Sequence, residues 1–449
     1  MRLLGLMRSM CTGSALIFLV AGHLAAQDTT ELLNRMKAME DRIQALEAEI
    51  QTLKAQQPQS PGGAQPPAVT QAPATAQAPP PAVAQVPPSA ATSAGGQLPV
   101  YGGANAAASK VFNPDISAIG DFIGSAGNPG NRYTPALEMH ESELGFQAII
   151  DPYARGDFFL SFGEQGVNLE EGYITFTSLP GAFQLRAGKM RAAFGVVNTL
   201  HNHVLPWVDR PLVNQDLVAG EDGIDDAGLS LSRIIPAPGQ IFLEGTAQAF
   251  RGDTEGVFRA ARRSDLSTVE HLRAYRDISE STNVTLGGSF ARGHSPIFDA
   301  ENQLYGVDAT VRWKPLRRAI YRSFVGRSEF VWSRQANVRS STTTPFGYYV
   351  SGDYQFGRRW FLGGRFDRSQ RGLCQPTAPL TQSNFACFAP GIGPLIQDTG
   401  GSVLLTYWPS EFSQVRGQYR HTRYALGPDA NEFLFQFQFS IGAHGAHPF

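Results

Sequence analysis

The segment "NEFLFQFQFSIG" near the carboxyl end alternates strictly between two kinds of side chain. One face carries Phe433, Phe435, Phe437, Phe439 and Ile441, and the other carries Leu434, Gln436, Gln438 and Ser440. A period of two residues is that of a β-strand with chemically different faces. Such a strand fits a soluble sandwich, whose apolar face packs in a core, or a membrane barrel, whose apolar face meets lipid.

The same alternation recurs along the chain and predicts sixteen strands: 116–126, 139–151, 154–166, 167–179, 181–195, 224–236, 240–252, 267–278, 283–294, 302–315, 321–334, 345–357, 359–371, 401–409, 412–425 and 431–442. Every second connection is tight, as in "DPYA", "PAPGQ" and "WPSEF", whereas the intervening connections are mostly longer and polar. Short turns at one end and long loops at the other are typical of outer-membrane barrels. A sandwich has no reason to keep this parity.

The faces of the predicted strands also differ in the way that a water-filled barrel requires. Strand 302–315 places Tyr305 and Val307 on one face, and Asp308 and Arg312 on the other. Lipid requires an apolar exterior, and an aqueous lumen requires a polar interior. The sequence therefore predicts an all-β fold, a transmembrane antiparallel β-barrel of about sixteen strands within residues 98–449.

Three different segments precede the barrel. Residues 1–26 have the positive start, apolar core and small-residue cleavage site of a signal peptide, although a retained membrane anchor is the alternative. Residues 28–57 space apolar side chains by three and four, which favours a coiled coil over an amphipathic helix packed on a domain. Residues 58–97, rich in Pro, Ala and Gln, predict an extended linker. An even strand number places the coiled coil in the periplasm, where we expect it to form a homo-oligomer, a trimer.

Composition excludes several classes of function. The net charge of −2 gives no reason to expect a nucleic-acid partner. The sequence shows no phosphate-binding glycine loop and no Ser–His pairing at strand spacing, so we expect no enzyme activity and no resident cofactor. Cys374 and Cys387 both follow the predicted signal peptide, and an oxidising compartment favours a disulfide between them.

The segment "TLHNHVLPW" contains a pair of histidines two residues apart, His201 and His203, in the predicted long loop 196–223. In an extended backbone the two imidazoles share a face and reach one divalent cation; imidazole suits Zn²⁺, Cu²⁺ and Ni²⁺, and Zn²⁺ is the metal that we expect. The same loop supplies the carboxylates of Asp209, Glu221 and Asp222. The alternative is an incidental pair in a polar loop. A weaker second candidate is the terminal pair His444 and His447.

Charged residues of both signs fall at positions predicted to face the lumen. The arginines are Arg186, Arg312, Arg327, Arg365, Arg416 and Arg420, and the acids are Asp308, Glu329, Asp353 and Asp367. Mixed rings of charge predict weak ion selectivity. A lattice of salt bridges that holds the barrel shape is the alternative interpretation of the same residues.

Several motifs resemble known outer-membrane proteins: "FNPDISAIGDF", "ESELGFQAIIDPYARGDFFLSFG", "LHNHVLPWVDRPLV" and "GIDDAG". The chain resembles the phosphate-selective porin O/P-like superfamily, and more closely proteins labelled zinc-regulated TonB-dependent outer membrane receptors. The resemblance covers roughly residues 110–449. It implies a barrel in the outer-membrane lipid that admits small hydrophilic solutes or ions, with divalent metal such as zinc as one cargo. The alternatives are a TonB-linked receptor in name only and a structural tether of the cell envelope that the barrel anchors.

Overall fold

A computed structural model describes residues 37, 114–130, 135–163, 166–297, 299–336, 342–371, 374–376, 385–387 and 395–442. The chain divides into two compact units, Met1–Val86 and Pro87–Phe449. Within the first unit Lys37 is helical and exposed. The predicted signal peptide, the linker, the rest of the coiled coil, and the pair His444 and His447 lie outside the described residues.

Sixteen long strands in the described part of the second unit form one closed antiparallel sheet. They are β1 Asp115–Asn128, β2 Leu137–Asp151, β3 Ala154–Gly163, β4 Gly166–Leu179, β5 Phe183–Arg191, β6 Asp225–Ile235, β7 Phe242–Phe250, β8 Ser267–Ser279, β9 Thr282–His294, β10 Glu301–Trp313, β11 Ser323–Ala336, β12 Phe346–Gly357, β13 Trp360–Gln370, β14 Gln397–Ser410, β15 Ser413–Arg423 and β16 Ala430–Gly442. Each pairs with its neighbours in sequence, and β16 pairs with β1. Closure means that each of these sixteen strands has a partner on both edges.

The structure confirms the all-β fold and every predicted strand. The largest boundary differences are the end of β5, at Arg191 instead of 195, and the start of β14, at Gln397 instead of 401. After Arg191 the Ala192 amide still donates to the carbonyl of Ile224 on the β6 side at 2.8 Å, and the chain then turns, with the Phe194 amide donating to the Ala192 carbonyl at 2.9 Å. Strand β14 begins early because residues 397–400 also pair with β13.

The two faces of the sheet have the predicted chemistry. On β16, Phe433 is 52% exposed on the outside, whereas Gln436 is 1% exposed on the inside. On β10, Tyr305 and Val307 point outward, and Asp308 is buried inside. The barrel therefore presents an apolar exterior and a polar interior.

Two β-bulges concentrate acidic groups on the interior of β2 and β4. On β2 the pairing to β1 passes from Glu141 to Met139, so His140 is an extra residue. On β4 the pairing to β3 passes from Glu171 to Leu169, so Glu170 is an extra residue. A bulge changes the direction of the side chains around it. Buried carboxylates thus come together on this part of the wall, at positions that simple alternation does not give.

The tight connections, such as that between β2 and β3, lie at the barrel end where β1 starts and β16 ends. At the other end the connections are longer, and the longest described one, residues 192–224 between β5 and β6, contains the short helix Leu212–Leu217. Among the described residues, no helix is long and apolar enough to cross a membrane.

Between β13 and β14, Cys374–Pro376 pairs with Phe385–Cys387, which sets Cys374 opposite Cys387. That register is compatible with the predicted disulfide, which stays a prediction.

Candidate functional site

Residues 192–224, called the lumen segment below, fold into the barrel and contact its wall on several sides. Five of its backbone amides donate to side chains on five different strands: Ala193 to Gln248 of β7 at 2.6 Å, Gly195 to Ser289 of β9 at 2.9 Å, Val197 to Glu329 of β11 at 2.7 Å, Leu212 to Asp367 of β13 at 3.2 Å and Val208 to Gln418 of β15 at 2.9 Å. The predicted long loop 196–223 therefore lies inside the barrel.

Asn198 joins the two ends of the lumen segment. Its amide nitrogen donates to the carbonyls of Ala192 at 2.9 Å and Ile224 at 3.1 Å, and its amide oxygen accepts from the Ile224 amide at 2.7 Å. Gly223, at a φ of 71°, lies directly against Asn198, where a Cβ would collide with the amide oxygen. The base of the segment is therefore closed by one buried side chain.

An apolar cluster anchors the middle of the lumen segment to β12 and β13. Trp207 is fully buried and meets the ring of Tyr349 edge-on at 5.1 Å between centroids. The guanidinium of Arg365 lies over the Trp207 ring at 5.0 Å, a cation–π arrangement. Phe194 and Val213 belong to the same buried cluster. A segment with its own packed core is held in place by more than surface hydrogen bonds.

A group of arginines binds the lumen segment to β13 and β15. Asp209 accepts from Arg365 at 3.0 Å, from Arg420 at 3.1 Å and from Gln418 at 2.5 Å. Arg416 donates to the Leu205 carbonyl at 2.9 Å. Burial raises the pKa of Asp209, but the two guanidinium groups outweigh burial and bring this pKa below its ordinary value. Asp209 is thus an ionised partner of arginines, and the structure does not bring it to the histidine pair.

The other predicted lumen residues also lie on the interior. Arg365 donates to Asp367 at 2.7 Å and Arg327 to Asp353 at 2.5 Å, and Arg420 binds Glu432. The remaining four are placed as follows: Arg186 over the Tyr173 ring at 5.1 Å, Glu329 under the amides of the lumen segment, Asp308 buried on β10 and Arg312 half-buried on the same face of that strand. At least five of these ten residues are in ion pairs, as in the salt-bridge alternative: Arg327, Arg365, Arg420, Asp353 and Asp367.

The histidine pair meets the acidic part of the wall. His201 Nδ1 lies 2.5 Å from Glu143 Oε2 and 3.2 Å from Glu170 Oε2, and His201 Nε2 lies 2.9 Å from Glu171 Oε2. His203 Nδ1 lies 3.7 Å from the same Glu143 oxygen. All these side chains are largely buried. Two imidazoles therefore converge on one carboxylate oxygen.

The two imidazoles have opposite pKa shifts. Burial lowers the pKa of His201, but Glu143, Glu171 and Glu170 outweigh burial and hold this pKa well above the ordinary value. Burial also lowers the pKa of His203, where Glu143 does not compensate and the charge of His201 adds to the effect, so this pKa stays below the ordinary value. His203 is thus the neutral imidazole, which is the metal-binding form.

Glu221 and Asp222 lie away from the histidine pair. Glu221 Oε1 is 2.8 Å from Nε2 of His140, and the Asp222 carbonyl accepts from Arg191 at 2.5 Å. Of the five predicted metal ligands, the structure brings together only His201 and His203, and it adds Glu143 and Glu170. The alternation of β2 does place Glu143 in the lumen, but Glu170 points there because of a bulge that the alternation of side chains does not reveal.

Comparisons with known proteins show remote similarity. No family model matches the chain. An uncharacterized protein of Aquifex aeolicus (strain VF5) is 27% identical over 403 residues, which covers 76% of this chain and 81% of the relative. Among solved structures, the chain is similar to OprB of Pseudomonas putida, with 10% identity, coverage of 73% and 94% of the two chains and a TM-score of 0.49. It is also similar to OmpT of Vibrio cholerae, with 8% identity, coverage of 73% and 97% and a TM-score of 0.48. An anion-selective porin from Comamonas acidovorans matches with 9% identity, coverage of 73% and 100% and a TM-score of 0.49.

Proposed function

We propose that this protein is an outer-membrane channel through which small hydrophilic solutes and ions diffuse. The observation that carries the proposal is the sidedness of the closed barrel, with exposed Phe433 and Val403 outside and buried Arg416 and Gln418 inside. Lipid accepts an apolar exterior of this kind, and a charged interior is stable where water fills the lumen. No covalent chemistry is needed for this function.

The lumen segment is the constriction of the proposed channel. It crosses between a wall rich in carboxylates on β2 and β4 and a wall rich in arginines on β13 and β15. Asp209 compensates arginines on one wall and His201 compensates carboxylates on the other, so a passing ion meets fixed charges of both signs. We therefore expect low conductance, because the segment occupies lumen space, and weak preference between K⁺ and Cl⁻.

Single-channel recording in a planar lipid bilayer tests the channel. Purified full-length protein should give ohmic current steps, with a small reversal potential in a KCl gradient. Protein that has folded, as shown by its β-sheet circular dichroism, and gives no steps would contradict the proposal. That outcome would favour the structural tether, in which the coiled coil and linker carry the function and the barrel anchors them.

Uptake of divalent metal ions is a more specific form of the proposed channel function. The specific observation in its favour is the convergence of His201 and His203 on Glu143. Vesicles that contain the protein and a zinc-sensitive dye should take up external Zn²⁺ faster than vesicles without protein. Equal rates of Zn²⁺ and Mg²⁺ uptake would indicate a general channel that has no preference for Zn²⁺.

The homotrimer that the coiled coil predicts belongs to the same proposal. Light scattering on detergent-solubilised protein should give three chains per particle for the full chain. A chain without residues 28–57 should give fewer chains per particle if the coiled coil drives assembly.

A further inference from the structure

We propose that Glu143, His201 and His203 form a binding site for a divalent cation of the zinc class, with Glu170 as an additional carboxylate ligand. The site needs the folded barrel but does not need conduction. An experiment can therefore disprove the metal site and leave the channel supported, or disprove the channel and leave the metal site supported.

The spacing of the donor atoms suits a small cation. One nitrogen each of His201 and His203 and one oxygen of Glu143 lie within 4.8 Å of one another. The measured separations are 2.5 Å and 3.7 Å to Glu143 Oε2, and 3.2 Å from His201 Nδ1 to Glu170 Oε2. Ligand atoms that share one tetrahedral Zn²⁺ at about 2.0–2.1 Å stand roughly 3.3 Å apart. The three measured separations differ from that spacing by less than about 1 Å.

Buried polar atoms without a hydrogen-bond partner lie around the proposed cation site. Nδ1 of His203, whose side chain is 5% exposed, lacks a hydrogen-bond partner among the described residues although it is aimed at Glu143. Both oxygens of buried Glu141 also lack a hydrogen-bond donor in the part of the chain that the structure describes. A buried polar group without a partner is costly, and each such group calls for an explanation. A bound cation would satisfy the imidazole and lie close to the carboxylate.

The excess of carboxylates is a second reason for a cation. Glu141, Glu143 and Glu170 bring three oxygens within 4.8 Å of one another in the barrel interior. Arg191 binds Glu170 at 3.1 Å and His201 binds Glu143 at 2.5 Å, whereas Glu141 has no cationic partner among the described residues. Like charges at this distance repel strongly where the dielectric constant is low. A divalent ion among them removes the repulsion more completely than one shared imidazolium.

The donor set selects a class of metal. Two imidazole nitrogens favour Zn²⁺, Ni²⁺ or Cu²⁺ over Ca²⁺ and Mg²⁺, which prefer oxygen alone. Two histidines and one carboxylate leave a tetrahedral ion with an open position unless Glu170 closes it. An open position allows exchange, which suits a site that takes up an ion and releases it. The ligands also join the lumen segment to β2, so an ion would hold the segment to the wall.

Calorimetric titration of purified full-length protein in detergent micelles with Zn²⁺ alone tests the site. We expect one ion per chain, bound at least about 100-fold more tightly than Ca²⁺. Glu143→Gln and His203→Gln should each weaken Zn²⁺ binding by about 100-fold or more, since even the loss of an outer partner costs 10–100-fold. The matched controls are Glu221→Gln on the same segment and His421→Gln, which changes an exposed residue of β15. Both should bind Zn²⁺ as tightly as the parent does.

A measurement on the unmodified protein removes the dependence on variant folding. X-ray absorption of the zinc-loaded parent should show two imidazole nitrogens and carboxylate oxygens around the ion. Zinc without imidazole ligands, or equal affinity in both ligand variants and the parent, would overturn the proposal. Bilayer recording of the same metal-free preparation reports separately on the channel.

Discussion

The residue that most directly controls the lumen segment is Asn198. It is fully buried and makes three hydrogen bonds to backbone groups at both ends of the segment. The segment therefore depends on one amide for its entry and exit geometry.

Asn198→Ala should loosen the base of the lumen segment. The loss of three buried hydrogen bonds costs about 1.5–4.5 kcal/mol at the usual net value of each bond. Limited proteolysis in detergent should cleave the variant within residues 192–224 and leave the barrel strands intact. Thr199→Ala, which removes one hydrogen bond to Val196, is the control. A cleavage pattern identical to the parent's would contradict the role of Asn198, because the contacts of the segment with the barrel wall would then suffice.

His201 makes the stability of the segment depend on pH. Its pKa is raised in the folded protein by Glu143, Glu171 and Glu170, with His203 close by. The stabilisation is therefore fully present below about pH 6.5, the pKa of the unfolded state, and is lost as pH rises through the folded pKa. Every tenfold gain in the proton affinity of the folded protein over the unfolded chain adds about 1.4 kcal/mol to this stabilisation.

Urea unfolding in micelles with a metal chelator measures this dependence. The parent should lose stability between pH 6 and alkaline pH, and His201→Gln should show a flatter profile. A parent profile that is flat or rises over this range would contradict the assignment of His201 as the cationic imidazole.

At the scale of the elements, the lumen segment is fastened at two chemically different places. On one side its histidines meet carboxylates of β2 and β4, of which Glu170 is the extra residue of a bulge. On the other side Asp209 lies between arginines of β13 and β15. Neither fastening belongs to the segment alone, so its position is set by strands far apart in sequence.

Arg365→Met should release the segment from β13. It removes the ion pair with Asp209 and the cation–π contact with Trp207, at a cost of about 3–5 kcal/mol for a broken buried pair. We expect a larger single-channel conductance than in the parent. Arg327→Met is the matched control, because its partner Asp353 lies on a strand and not on the segment. Equal conductance changes in the two variants would show that lumen charge, and not segment release, is responsible.

At the scale of the whole molecule, stability in a membrane depends on the division between the two faces. Phe435 faces outward and Gln436 faces inward near the middle of β16. In the proposed membrane channel, neighbouring residues of one strand would meet different solvents. The same substitution at these two positions is a direct test of which solvent each meets.

Phe435→Arg should destabilise the barrel in lipid vesicles by about 2–4 kcal/mol, because it places a charge near the bilayer midplane. Gln436→Arg should cost less, since its side chain points to the polar lumen near Asp121. Urea unfolding from vesicles compares the two. A larger loss for Gln436→Arg than for Phe435→Arg would contradict the membrane orientation.

The sequence by itself determined the strands, their faces and the parity of their connections. Those properties are local, because a period of two residues and a tight turn are visible in single segments such as 412–425 and 431–442. The inward direction of residues such as Arg365 and Glu143 follows from the same alternation. Interior positions can therefore be predicted strand by strand, without knowledge of which strands become neighbours.

Only the tertiary structure decided which of those residues meet. The sequence grouped His201 and His203 with the nearby Asp209, Glu221 and Asp222, yet closure of the barrel brings the histidines to Glu143, 58 residues earlier in the chain. The direction of Glu170 depends on a bulge, which arises from the pairing of two strands and leaves no periodic trace. Contacts across a lumen depend on strand order and register, and these are properties of the closed sheet as a whole.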